Sequence, residues 1–235
     1  MTAEEVIAKI VALEDPKGKA ILMRHGAKEP IYGVQVNKLK TLIKPIKKDH
    51  TLSLALYASG ISDAMYLAGL IADEKKISKD ELRRWAKEAY WFYLSEYAVP
   101  WVAAESPYGW ELAQEWLASD DVHLQEVGWA TLNSLAGYKA DTDLDLPAFS
   151  ALLANLPSKI HQAEGRLKYV MNGFIIAVGS YVLPLKAEAL AAAEAIGNVE
   201  IRMGNTASKV PSAADQIHKM EAAGRAGKKR KTTKC

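Results

Sequence analysis

Residues 187–195 read AEALAAAEA and residues 122–138 read VHLQEVGWATLNSLAGY. The first stretch is mostly alanine, which loses the least side-chain entropy in a helix and is its best former. In the second, Leu124, Val127, Leu132 and Leu135 recur at helical spacing and lay one apolar stripe along a helix. The same spacing runs outward through the chain, in Val6, Ile7, Ile10 and Val11 and in Leu39, Leu42, Ile43 and Ile46. No Asn-Gly or Asp-Gly turn stands between alternating apolar runs, and Asn172-Gly173 lies inside a helical pattern. The fold class expected is all-α.

Punctuation then sets the architecture. Breaks at Asp15-Pro16, Glu29-Pro30, Asp49-His50, Ser59-Gly60, Ser106-Pro107, Ser119-Asp120, Leu156-Pro157 and Leu183-Pro184 fall at short, fairly even intervals. Many supply a Ser or Asp that can cap the following helix. About ten to twelve helices of roughly 9–17 residues follow from this spacing. They can bury their apolar faces as a bundle or by stacking in pairs, and the recurring helix-pair spacing favours an α-solenoid. No strict sequence repeat accompanies it. The organisation expected is a helical repeat domain over 1–197, a polar loop and short helix over 198–224, and a basic tail over 225–235. The tail has nothing apolar to bury and is expected to be mobile. The loop segment Met203–Pro211 has no assignable role.

The 235 residues are 49% hydrophobic and 25% charged, the composition of an ordinary globular protein. The longest apolar runs fall well short of the roughly 20 residues of a membrane span. No basic, then apolar, leader opens the chain. One cysteine, Cys235, permits no internal disulfide, so a cytoplasmic monomer is the expectation. The five histidines are scattered without a ligand spacing, so no metal is expected. No phosphate-binding glycine loop or dinucleotide fingerprint is present, so no nucleotide or other cofactor is expected.

Net charge is +2, from 30 basic and 28 acidic residues. That mean hides an asymmetry. Arg225, Lys228, Lys229, Arg230, Lys231 and Lys234 stand in the tail without an acid, so the remaining 24 basic and 28 acidic residues make a mildly acidic body. Local clusters, not the total, set the field that a phosphate feels. A second cluster, Lys38, Lys40, Lys44, Lys47 and Lys48, is read as one helix, with Lys40, Lys44, Lys47 and Lys48 on the face opposite Leu39, Leu42 and Ile46. Arg166 and Lys168 can extend this stripe. All six tryptophans lie between 85 and 129, where a packed core is the favoured reading and Trp91 the exception.

Three segments, in order, carry a family resemblance: YGVQVNKLKTLIK at 32–44, WFYLSEYAVP at 91–100 and WLASDDVHLQ at 116–125. Together they resemble the bacterial DNA alkylation repair proteins of the AlkD type, which are HEAT-like helical solenoids. The likeness covers most of residues 20–195. The tail resembles a subgroup ending in KKRKT-x-x-C, not the catalytic prototype. The resemblance implies a basic, aromatic concave face holding double-stranded or branched DNA. It also implies excision of cationic N3- and N7-alkylated purines by a carboxylate that stabilises the sugar cation, with aromatic rings beside the lesion.

Carried across position by position, the resemblance puts the carboxylate on Glu96 and the lesion-facing aromatics on Trp91, Phe92 and Phe174. Glu126 stands where the family has an arginine, and this exchange replaces an attraction for phosphate with a repulsion. The phosphate-binding set expected is Lys40, Lys44, Lys47, Lys48, Arg166, Lys168, Arg225, Lys228, Lys229, Arg230 and Lys231. The function expected is recognition of damaged or distorted duplex DNA in alkylation repair, with weak glycosylase activity at most. The alternatives are an inactive relative that binds branched or unusual DNA, and a protein–protein scaffold.

Overall fold

A computed structural model describes residues 1–201 and 210–234. Cys235 and most of Met203–Pro211 lie outside these described residues.

Helix follows helix. Asp15, at a break read from the sequence, caps α2 (Pro16–Arg24), while Thr2 opens α1 (Ala3–Ala12) in a reciprocal capping box with Glu5 and Ser78 with Glu81 boxes α7 (Lys79–Glu88). Between them lie α3 (Val36–Thr41), α4 (Ile43–Ile46), α5 (His50–Ala58) and α6 (Ser62–Ile71). A π-helical turn over Leu94–Ala98 then runs into α8 (Val99–Glu105). The chain continues through α9 (Gly109–Leu117), α10 (Val122–Tyr138), α11 (Leu146–Lys159), α12 (Leu167–Tyr181), α13 (Lys186–Ile196) and α14 (Ala213–Ala222). No strand occurs among the described residues, and none of the helices there is singly long and apolar enough to cross a membrane.

Two helices are far shorter than the expected range, and they correct one reading. The lysine-rich stretch is two pieces, α3 and α4, not one helix. Pro45 has no N–H to give to the carbonyl of Thr41, and the ladder breaks between Thr41 and Ile43. Lys47 then leaves the helix at φ +62°.

The helices stack as a solenoid. Helix α6, the π turn with α8, then α10, α12 and α14 form a continuous row, each packed on the next, with α5, α9 and α13 layered against it. Every residue of α6 is buried, because Gly69 lets the helix sit against Ala98. The apolar core divides in two along the row. One part reaches from Val6 to Val127, the other from Ala104 to Ile217, and α8 to α10 share both. Helix α14 joins the second part through Ala213 and Ile217.

The basic tail differs most from expectation. It is a strap, laid across the ends of the row's helices. Turns at Gly224 and Gly227, with φ +63° and +72°, bring the Gly227 N–H onto the Ser180 carbonyl at the end of α12. The Arg230 N–H and the Lys229 ammonium donate to Gly137 and Ala136 at the end of α10. Thr233 is buried, donating to the Trp101 carbonyl in α8 and bonded to Glu105. Lys234 ends the path, donating to the Ala72 carbonyl that closes α6, 2.8 Å away. Helix C-termini carry unsatisfied carbonyls and the negative pole of the helix dipole, so a cationic strap is ordered by them without an apolar side chain.

Candidate nucleic-acid interface

The face formed by the row holds a hollow of about 380 Å³ walled by Glu96, Tyr97, Trp101, Tyr169, Tyr181 and Arg230. Its floor is positioned by the π turn. One extra residue in that turn is the kind of insertion that re-aims side chains, often at functional sites.

Glu96 projects from the π turn onto Arg166, and one edge of the guanidinium engages both its oxygens, with Nη2 2.7 Å from Oε2 and Nε on Oε1. The side chain of Glu96 is 4% exposed. Burial pushes its carboxyl above the ordinary carboxylate range, opposed by the bonds from Arg166. Arg166 in turn lies over the ring of Phe92, 4.0 Å from its centroid, and beside Tyr169 at 4.9 Å. Glu126 sits close by on α10. Burial and the neighbouring Glu96 charge push its carboxyl up to about 7. His123, one turn back, is 3.9 Å from it and is itself held low by burial.

This geometry corrects several site residues. Phe174 is fully buried between Trp129 and Phe149, so it is core and not a lesion-facing ring. Trp91 is 5% exposed, stacked on Tyr93 at 4.4 Å with its indole N–H on Ser62. Both are drawn inward because large rings are most stable out of water, and the one polar atom of Trp91 finds a partner there. Phe92 remains at the surface but carries Arg166. Arg166 spends its Nε and Nη2 groups on Glu96 instead of turning them outward. Lys229 and Arg230 are likewise engaged, Lys229 with Ala136 and Asp141 and Arg230 with Tyr181. The structure brings together Glu96, Phe92, Arg166 and Glu126. It does not bring Phe174 or Trp91 to the surface.

Other cations stay outward. Lys44, Lys47, Arg225, Lys228 and Lys231 are exposed, and Lys40 and Lys168 are half-buried. Lys48 and Lys234, from opposite ends of the sequence, both reach Glu74. The lysine-rich segment and the strap therefore meet on one edge of the row, at the helix C-termini. On the opposite edge, at the helix N-termini, the motif YGVQ is held by Asp63, which accepts the N–H groups of Tyr32 and Val34 at 2.7 and 2.8 Å. Gly33 takes φ +71°, and a Cβ there would stand 2.2 Å from the Lys19 nitrogen, so the motif's glycine is a packing requirement. The sequence reading missed Asp63 and the tyrosines of the hollow. The strap left a trace there, in two glycines and two threonines inside an otherwise basic tail.

Comparison with known proteins agrees with this arrangement. A solved structure described as "a new family of proteins related to the HEAT-like repeat DNA glycosylases with affinity for branched DNA structures" superposes with a TM-score of 0.92. It is 34% identical, and the match covers 100% of both chains. The molecule is thus of the HEAT-like helical repeat class related to DNA glycosylases. Uncharacterized proteins of Listeria monocytogenes and Listeria innocua are 29% and 28% identical over 225 residues, spanning 93% of this chain and 97% of theirs. Residues 6–207 match the family described as DNA alkylation repair enzyme, and the chain belongs to that family.

Proposed function

We infer that this chain binds branched or distorted duplex DNA and does not excise bases. One observation carries the second half of that reading. The carboxylate in the catalytic position, Glu96, is buried and held at both oxygens by Arg166. A carboxylate that must stabilise a sugar cation has to present its charge to the sugar, and this one is already neutralised. Glu126 works in the same direction, since it puts a second carboxyl where an excising relative has a cation.

Support for DNA contact is electrostatic. The exposed Lys44, Lys47, Arg225, Lys228 and Lys231 lie on the two segments that meet at Glu74. A line of cations along one edge is the footprint of a phosphate backbone. The branched-DNA affinity ascribed to the solved relative supports the choice of DNA structure. The test pairs two assays on one preparation. Four-way junction DNA should bind more tightly than linear duplex of equal length, with affinity falling steeply as salt rises. Methylated duplex should release no N3- or N7-methylpurine. Purine release that Glu96→Gln abolishes would restore the glycosylase reading.

A further inference from the structure

Helix α2 has no buried residue along its length of nine residues. It is held at its start instead, where Asp15 accepts the N–H groups of Lys17 and Gly18 and Gly18 abuts the Gly33 carbonyl. One narrow stripe faces inward: Gly18, Lys19, Leu22 and His25 are half-buried. Leu22 enters a crevice with Ile31, Leu39, Tyr66 and Tyr93, which sets the helix beside the aromatic patch of the row. Lys28, just beyond, is close enough to lower the basicity of His123 at the N-terminal end of α10. Thus α2 rims the face on the edge opposite the strap.

What the rest of its circumference presents is unusual. At 100° per residue, Lys17, Ala20 and Arg24 share the outward ridge, and Ile21 and Met23 fall on its two flanks, about 160° apart across it. Ile21 is 46% exposed and Met23 39%. Residues 16–28 (PKGKAILMRHGAK) hold four Lys or Arg, one His and no acid. Within this stretch Lys19 is paired, to Glu29. A soluble helix ordinarily turns its apolar side chains to the core. This one keeps two in water, on opposite sides of a cationic ridge.

We propose that α2 is a wedge that seats between two diverging arms of branched DNA, with Ile21 and Met23 each covering a base pair face and Lys17 and Arg24 taking the phosphates between them. The proposal rests on the DNA-binding reading above. A linear duplex hides its base-pair faces by stacking, whereas a branch point interrupts stacking and offers two such faces across a gap. Apolar wedges of Ile, Leu, Met or Phe at unstacked steps are a recurrent device of DNA-bending proteins. Here the two flanks match the two arms. The ridge is positive where the strands converge and their phosphates crowd.

The experiment uses the full chain and a four-way junction carrying 2-aminopurine at the branch point. Wild type should raise the 2-aminopurine fluorescence on binding. I21A/M23A should bind the junction roughly tenfold more weakly, a loss of about 1.4 kcal/mol, with linear-duplex affinity held within about twofold and no fluorescence rise. I21L/M23L, which keeps the apolar bulk, should behave as wild type. Both positions are exposed, so thermal unfolding of each variant should match wild type. Undiminished junction binding and fluorescence in I21A/M23A overturns the wedge while leaving DNA binding intact. Equal losses on junction and linear DNA also overturn it. Absence of wild-type binding to any DNA at low salt removes the DNA reading itself. Capture by phosphatidylglycerol vesicles that I21A/M23A abolishes, with DNA binding unchanged, assigns the helix to a membrane surface and overturns the wedge.

Discussion

Residues 225–234 and residues 16–28 are alike as text: each is a short, glycine-punctuated run of cations without an acid. The fold uses them in opposite ways. In the strap, Lys229, Arg230 and Lys234 turn inward onto helix ends, Asp141, Tyr181 and Glu74. In the first segment Lys17, Arg24 and Lys28 face solvent, and the apolar Ile21 and Met23 join them there. What separates the two is the neighbour each meets. The strap crosses the C-terminal ends of α12, α10, α8 and α6, where carbonyls and helix dipoles attract cations. The 16–28 segment lies along the opposite edge, where the helices begin. There Asp15 and Asp121 cap α2 and α10, and Asp63 holds the loop N–H groups of Tyr32 and Val34. Basic composition alone therefore says nothing about which cations remain for a ligand.

The largest expected effect tests the strap's half of this contrast. Deleting residues 225–235 removes the buried Thr233, the Lys234 and Lys229 bonds to carbonyls and the cover over four helix ends. The expected loss is about 3–5 kcal/mol, read as a lower urea midpoint. Exchanging Lys17, Arg24 and Lys28 for Gln should shift the same midpoint by less than about 0.5 kcal/mol. Equal midpoints for deletion and wild type would break the comparison, returning the tail to the status of a mobile arm.

Arg166 sharpens the contrast from the other edge, because it is the inward-turned cation there. Arg166→Met keeps the stem on Phe92 but leaves Glu96 buried without a partner. The expected loss is about 3 kcal/mol at pH 7, recovered on acidification as Glu96 takes up a proton. A double variant with Glu96→Gln should be closer to wild type than Arg166→Met alone. If the two single losses simply add, the pair is not coupled and Glu96 regains a claim to catalysis.

Much of the fold was legible because it is local. Capping residues, alanine runs and three- and four-residue apolar spacings act within a turn or two, and they placed α1, α10 and α13 correctly. The family likeness, read from segments at 32–44, 91–100 and 116–125, extended this to the solenoid. Site details were harder, because each depends on partners distant in sequence. Glu96 and Arg166 are 70 positions apart, and nothing near either announces the other. Phe174 sits in a helix whose apolar residues face more than one neighbour, so its side could not be chosen from spacing. The strap's partners are mostly backbone carbonyls, which carry no sequence signal and face one edge only after the helices have stacked.

Glu126 gives a smaller, pH-dependent effect. Its folded carboxyl is raised to about 7, well above the ordinary value of 4.5, so it is the protonated form that suits the fold. That contribution is complete below about pH 4.5 and is lost as pH rises through 7. Glu126→Gln stays neutral throughout. It should match wild type near pH 4.5 and exceed it at pH 8, by on the order of 2 kcal/mol after allowance for partial exposure. A stability difference that is flat with pH would show that Glu126 is solvated and that its burial beside Glu96 is not what sets its charge.

The smallest effect on stability is expected at Lys44, Lys47 and Lys231, and it bears most directly on the division between committed and available cations. All three are exposed, on the two segments that converge at Glu74. Changing them together to Gln should leave the urea midpoint within about 0.5 kcal/mol of wild type. The slope of log K against log salt for junction DNA should nonetheless flatten by roughly 2–3, close to one unit for each phosphate no longer neutralised. Lys229→Gln makes the counterpart, since its ammonium is already bound to Ala136 and Asp141. It should cost stability and leave the salt slope unchanged. A flattened slope in Lys229→Gln, with none in the triple variant, would reverse the assignment and put the strap's inward face, not its outward lysines, against the phosphates.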